Sequence, residues 1–165
     1  MDKLKIILGA SNTVQDGFVA TDKDTIDLLD ETSFSLYFNG LKADVFLAEH
    51  VWEHFSLDQA LLACKNVYKY LKPGGYIRCA VPDKNFDNDW YQNLVQVGGP
   101  GPKNHPAYTH KIVYDYQTLT RIFEQVGFHV TLLEYCDEFH QFHYREWDPL
   151  DGKIGRSYRY DTRNS

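Results

Sequence analysis

The chain of 165 residues reads as an α/β layered domain built on a largely parallel sheet. Two observations predict this. Strand-like and helix-like segments alternate from residue 44 to residue 135 in the order strand, helix, strand, helix, strand, and such alternation is the mark of parallel strands joined by crossover helices. The strand-like segments at 4–8, 44–49 and 76–81 are short, apolar and rich in β-branched residues, as strands buried on both faces must be.

In chain order, residues 4–8 predict a first buried strand, broken by Gly9-Ala10-Ser11-Asn12. Residues 18–22 predict a second, short strand ending on Asp22. Residues 26–29 fit either a third strand or a helical turn, since periodicity does not separate the two over four positions. Residues 44–49 form the next strand, apolar in the middle and acidic at both ends. The clearest helix spans 57–70. Ser56 and Gln59 make a capping-box pattern, Leu57, Leu61, Cys64, Tyr68 and Leu71 mark an apolar stripe, and Pro73-Gly74-Gly75 stops it. Residues 76–81 return to the sheet. A second helix at 117–126 takes Asp115 as cap and Gly127 as stop, and residues 128–135 predict a further strand. Residues 153–163 alternate arginine with tyrosine. They suit a charged edge strand or a phosphate or carboxylate contact.

The whole chain, 1–165, is expected to form one domain, interrupted by an insertion at 84–112 rich in glycine, proline and aromatic residues. Loops of that length tend to be functional or mobile, so a lid is expected there. With 43% hydrophobic and 24% charged residues, the chain can bury a core without staples. The net charge of −6 argues against nucleic acid as a partner, because that role needs cationic density. No apolar run approaches the roughly 18 residues that span a bilayer, so no membrane partner is expected either. Cys64, Cys79 and Cys136 are widely spaced and form no C-x-x-C pair. With no secretory or transit segment at the start, they predict a cytoplasmic protein. A small-molecule substrate and self-association into a homo-oligomer are compatible with this surface.

Ligands of open α/β sheets bind at the carboxyl ends of the strands. Here those ends carry Gly9, Ala10 and Ser11, then Asp22, Asp30, Glu49-His50 and Pro82-Asp83. The run from Asp44 to Phe55 (Asp-Val-Phe-Leu-Ala-Glu-His-Val-Trp-Glu-His-Phe) resembles the fourth-strand segment of class I S-adenosylmethionine-dependent methyltransferases. The turn Leu71-Lys72-Pro73-Gly74-Gly75 and the following Val81-Pro82-Asp83 resemble their post-helix turn and fifth strand. Upstream, Ile7-Leu8-Gly9-Ala10 and Gly17-Phe18-Val19-Ala20-Thr21-Asp22 are similar to the glycine loop and the acidic ribose-binding strand. Downstream, Tyr116-Gln117-Thr118-Leu119 and Val126-Gly127-Phe128 are similar to the helix before the sixth strand. The ending Asp151-Gly152-Lys153-Ile154-Gly155-Arg156-Ser157 resembles a poorly characterised branch of that group.

The resemblance implies a Rossmann-like methyltransferase fold, a mostly parallel sheet flanked by helices, shortened at the N-terminus and in the first crossover. It implies S-adenosylmethionine as cofactor. Gly9 and Ser11, with Ala10 between them, would face its methionine end, Asp22 the ribose, Asp30 the adenine amine, and Glu49 or His50 the sulfonium. It carries no metal. The first loop has fewer glycines than the family uses, and a catalytically inactive binding or assembly module is the alternative to an enzyme.

Methyl transfer to a hydroxyl needs a base, and His50, His54, His105 and His110 are the candidates because imidazole titrates near neutrality. The plainer reading of each is a surface or hydrogen-bonding histidine. Trp90, Tyr91 and Tyr108 can shape an acceptor pocket or cover the sheet edge. The acceptor expected is a small molecule or glycan. His50-Val51-Trp52-Glu53-His54 also matches H-x-x-E-H, a zinc-hydrolase pattern that requires both histidines on one helical face. The motif straddles a strand end and the break at Ser56, and methyl transfer accounts for the same residues without a metal. His140 and His143 form a second, incidental pair.

Overall fold

The computed structural model describes residues 2–161. Four strands form the central sheet: β1 (Lys5–Leu8), β2 (Val19–Ala20), β3 (Ala43–Glu49) and β4 (Leu71–Ala80). They lie in the order β2-β1-β3-β4 and every neighbouring pair is parallel. Ile6 stands opposite Phe46, and Phe46 opposite Ile77. This is the parallel, Rossmann-like sheet that the sequence predicts. No helix is assigned between β1 and β2, in keeping with the shortened first crossover.

Side-chain alternation along the strands divides the core. Ile6, Leu8, Phe46 and Ala48 point to one face, where they pack under α1 (Glu31–Phe38), α2 (Leu57–Lys69) and α4 (Tyr116–Val126). Ile7 and Leu47 point to the other face, which Trp147 and Ile154 cover. That cover is no edge strand. Residues 153–160 run as turns and irregular backbone. They are tied down where Tyr76 donates its hydroxyl to the Asp151 carbonyl at 2.8 Å and Arg78 reaches the carbonyls of Asp148 and Gly152 at 2.9 and 2.7 Å. Thr162 and Arg163, at the end of the arginine-tyrosine segment, lie outside the described residues.

The capping box of α2 forms as the spacing predicts, with Ser56 and Gln59 bonding reciprocally. Its buried face differs. Ala60, Ala63, Cys64 and Val67 are covered, whereas Leu57 and Tyr68 are about half exposed (56% and 49%). Alanine lets the helix lie close to the sheet, so the small residues face inward and the large ones ride at the margin. Residues 26–29 are irregular backbone ending in a turn, and they lead into α1, a helix the hydrophobic pattern does not announce. Asp30 caps it by accepting the Thr32 N–H at 3.0 Å, and Phe34 and Phe38 stack against Tyr70.

The helix before β4 stops at Tyr70 rather than at Pro73-Gly74-Gly75. Those residues bulge within the strand, since Leu71 pairs with Ala43 but the next partner pair is Tyr76 and Val45. A Cβ on Gly75 would stand 2.9 Å from the Asp44 carbonyl oxygen, so this turn needs glycine.

The strand expected at 128–135 shrinks to β5 (Glu134–Cys136), paired antiparallel with β6 (Phe142–Tyr144) outside the main sheet. Beyond β4, Pro82 offers no N–H for a ladder. Asp83 instead accepts the Cys136 N–H on its carboxylate at 2.7 Å, a side chain standing in for a strand. Burial raises the Asp83 carboxyl above its ordinary range. The cap on α4 is as predicted: Asp115 accepts the Thr118 N–H at 2.8 Å. Asp115→Ala is expected to cost about 1 kcal/mol of stability, measurable as a lower denaturant midpoint at unchanged slope.

The 84–112 insertion contains α3 (Asp89–Val95) and a 3₁₀ turn, Pro106–Thr109. Among the described residues, no helix is long and apolar enough to cross a membrane.

Candidate functional site

Strand order locates the site. The chain moves from β1 outward to β2, then returns to lay β3 along the opposite side of β1. The reversal opens a crevice between the carboxyl ends of β1 and β3. Gly9, Ala10 and Ser11 line it from one strand, Glu49 and His50 from the other. Gly155, Arg156 and Tyr160 close it from the far end of the sequence. The cleft holds about 460 Å³, inside the roughly 300–1,000 Å³ typical of small-molecule sites.

Gly9 has φ +57°, and a Cβ there would stand 2.8 Å from a Val51 methyl. Only glycine gives the loop this turn without strain. Ala10 is buried and donates its N–H to the Thr21 carbonyl at 2.9 Å. Ser11, also left-handed at φ +50°, donates its N–H to Asp22 Oδ1 at 2.9 Å. Asp22 therefore holds the loop with one oxygen. Asp30 is spent on capping α1 and does not line the cleft.

Both oxygens of Glu49 are engaged: Oε1 accepts the Gly155 N–H at 3.2 Å and Oε2 the Arg156 N–H at 2.7 Å. Beside it, His50 sits at φ +59° and its Nδ1 lies 3.1 Å from Glu53 Oε2. Glu53 is fully buried at 0% exposure.

Three of the four candidate histidines gather around Glu53. His50 touches it directly, and His110 brings Nε2 to 3.9 Å. The His54 ring stands edge-on to His110 at 4.8 Å, with its Nδ1 2.7 Å from Thr109 Oγ1. Burial lowers the His54 imidazole below its ordinary value. His105 stays apart and accepts the Ala107 N–H to cap a 3₁₀ turn.

The H-x-x-E-H run does not form one helical face. Only Trp52–His54 is helical, as a single 3₁₀ turn, and His50 precedes it in a left-handed bend. The grouping that does form is Glu53, His54 and His110, one potential ligand atom of each lying within 4.8 Å of the others. Trp90 and Tyr108 are exposed and Tyr91 packs on Phe86, none of them lining the cleft. His140 and His143 make separate hydrogen bonds, to the Asn85 carbonyl and to Asp137.

The wall supplied by Gly155, Arg156 and Tyr160 is the part that sequence reasoning did not attach to the cleft. Its signal was the arginine-tyrosine alternation, whose anion-binding reading stood beside the edge-strand one.

A family model described as a methyltransferase domain matches residues 7–133. No curated relative matches the sequence. The match takes in Gly9, Ser11, Asp22, Glu49, His50 and the whole Glu53 cluster.

Proposed function

The chain belongs to the methyltransferase domain family, and on that premise we propose that it transfers a methyl group from S-adenosylmethionine to a hydroxyl-bearing small molecule or glycan. The observation that carries this is the cleft at the strand-order reversal, with glycine at its tightest bend and Ser11 in its wall, held from behind by Asp22, which does not itself line the cleft. The residues present fit the cofactor. A side chain at Gly9 would strike Val51, so the wall there is bare backbone, and the Asp22 oxygen not used by Ser11 can accept a ribose hydroxyl. S-adenosylmethionine, when bound, supplies an electrophilic methyl on a sulfonium sulfur.

The chain's own contribution is placement and proton removal. Positioning alone is worth roughly 7–11 kcal/mol in well-oriented reactions. Among the four candidate histidines only His50 lines the cleft. Glu53 orients its ring through Nδ1, while Nε2 is buried without a hydrogen-bond partner among the described residues, so the ring must shift for that nitrogen to meet an acceptor in the cleft. A histidine held by a carboxylate on one nitrogen is arranged to take a proton on the other. The net charge of −6 supports a small or neutral acceptor over a polyanion.

A second reading, a methyltransferase-like binding or assembly module without turnover, is favoured by one observation: the 155–156 backbone already occupies both oxygens of Glu49. Calorimetric titration with S-adenosylhomocysteine, then transfer of labelled methyl to hydroxyl acceptors, decides between them. Binding with transfer is the expected result. Binding without transfer to any acceptor favours the module, and no heat at millimolar ligand overturns the cofactor assignment.

A further inference from the structure

Orienting His50 engages only Oε2 of Glu53, and the rest of that carboxylate presents a problem that methyl transfer does not solve. It is a fully buried carboxylate, and no lysine or arginine pairs with it among the described residues. Its Oε1 has no hydrogen-bond partner there. Buried carboxylates are normally paired, fully bonded or bound to a cation.

The facing histidine sharpens the problem. His110 is 8% exposed, and its Nδ1 lies 2.8 Å from the Val95 carbonyl oxygen. A carbonyl only accepts, so Nδ1 carries the proton, and in the neutral ring Nε2 presents a lone pair. That nitrogen lies 3.9 Å from Glu53 Oε2. Two acceptors facing each other repel unless a proton, a bridging water or a metal cation lies between them. Donation of the second ring N–H to a carbonyl is also how metal-binding histidines are held in the ligating tautomer. His54 adds a third potential ligand atom within the same 4.8 Å span.

We propose that Glu53, His54 and His110 form a site for a divalent transition-metal ion, zinc best matching two imidazoles and one carboxylate. Ligand atoms at about 2.0–2.1 Å from zinc stand about 3.3 Å apart, so the cluster closes by side-chain rotation alone. The ion joins the turn after β3 to the 84–112 insertion, because Glu53 and His54 come from the first and His110 from the second. The backbone already links them, with the Lys111 N–H donating to the Glu53 carbonyl at 2.8 Å. His54 is only partly buried, so an ion can reach the cluster from solvent. This site is distinct from the H-x-x-E-H arrangement, which would recruit His50 in place of His110.

The test is thermal unfolding of the chelator-treated full chain with and without zinc. A ligand present at about a hundredfold excess over its dissociation constant should raise the midpoint of a domain this size by about 5–10 °C. His54→Ala, which among the described residues removes one side-chain hydrogen bond, to Thr109, should fold and lose most of that rise. His143→Ala, a distant histidine control, should keep it. Cobalt should give the visible spectrum of a four-coordinate ion in the wild type and lose it in His54→Ala. No midpoint rise in the wild type overturns the site. So does a rise undiminished in His54→Ala, or one abolished in His143→Ala.

Discussion

Asp22→Ala is expected to weaken S-adenosylhomocysteine binding by about five- to 150-fold while the fold survives. On the proposed reading the carboxylate acts twice. One oxygen holds Ser11 in its left-handed conformation through the 2.9 Å bond to the N–H, and the other is left for a ribose hydroxyl. Charge-assisted hydrogen bonds of this kind are about twice as strong as neutral ones. Leaving a donor unpaired in a partly closed site costs roughly 1–3 kcal/mol, which converts to that range at tenfold per 1.4 kcal/mol. Asp22 is exposed and its backbone carbonyl still accepts from Thr25 and Ile26 after substitution, so global stability should change little. Titrating both proteins while following thermal unfolding checks this. Equal affinity would remove Asp22 from the cofactor site, whereas a lowered midpoint without weaker binding would make it a loop fastener only.

Trp52→Ala is expected to cost about 3–5 kcal/mol, the usual loss for a buried aromatic cut to alanine. Trp52 is 0% exposed and joins α2 to α4, since its indole N–H donates to the Ala60 carbonyl at 3.3 Å and its ring packs on Phe55 and Phe123. Truncation leaves a cavity, while the Ala60 carbonyl keeps its bond within the helix and loses only the second donor. It also frees the turn that presents Glu53. Denaturant unfolding measures the loss, and a cost under about 1 kcal/mol would mean that the two helices close over the gap.

The parallel sheet was legible because strands covered on both faces read as largely apolar runs, as 4–8 and 44–49 do, whereas 76–81, expected to be buried, joins the sheet only partly buried. Caps were legible too, since Ser56 and Asp115 act within three residues of themselves. What stayed hidden depended on distance or on small residues. Helix α1 holds only eight residues, and Phe34, Tyr37 and Phe38 share one face over too short a run to show a period, while alanines carried the buried face of α2 unseen beneath larger neighbours. In the site, Gly9, Ser11, Glu49 and His50 came from strand ends that any parallel sheet exposes. Arg156 and Tyr160 came from more than a hundred positions beyond β3, and local pattern does not reach that far. His110 joined His54 for the same reason, with 55 intervening positions folded back by the insertion. Asp22 lay on the acidic strand that the family resemblance marked, yet its bond to Ser11 is a feature of the folded loop.

One face of the sheet lies beneath helices and the other beneath the irregular segment that carries Trp147 and Ile154, which follows every strand it covers. The bonds tying that segment down span very long stretches of chain: Glu49 to Arg156 crosses 107 positions, and Lys5 to Leu150 crosses 145. Closing loops of this length is entropically slow and comes after local contacts have formed. Refolding should therefore be asynchronous. Helical signal and the burial of Trp52 come first, while Ile7 and Leu47 remain open to solvent, and quenching at Trp147 lags behind. During that lag the chain has its glycine loop but only half a cleft, and its bare sheet face is the surface on which two immature copies would associate.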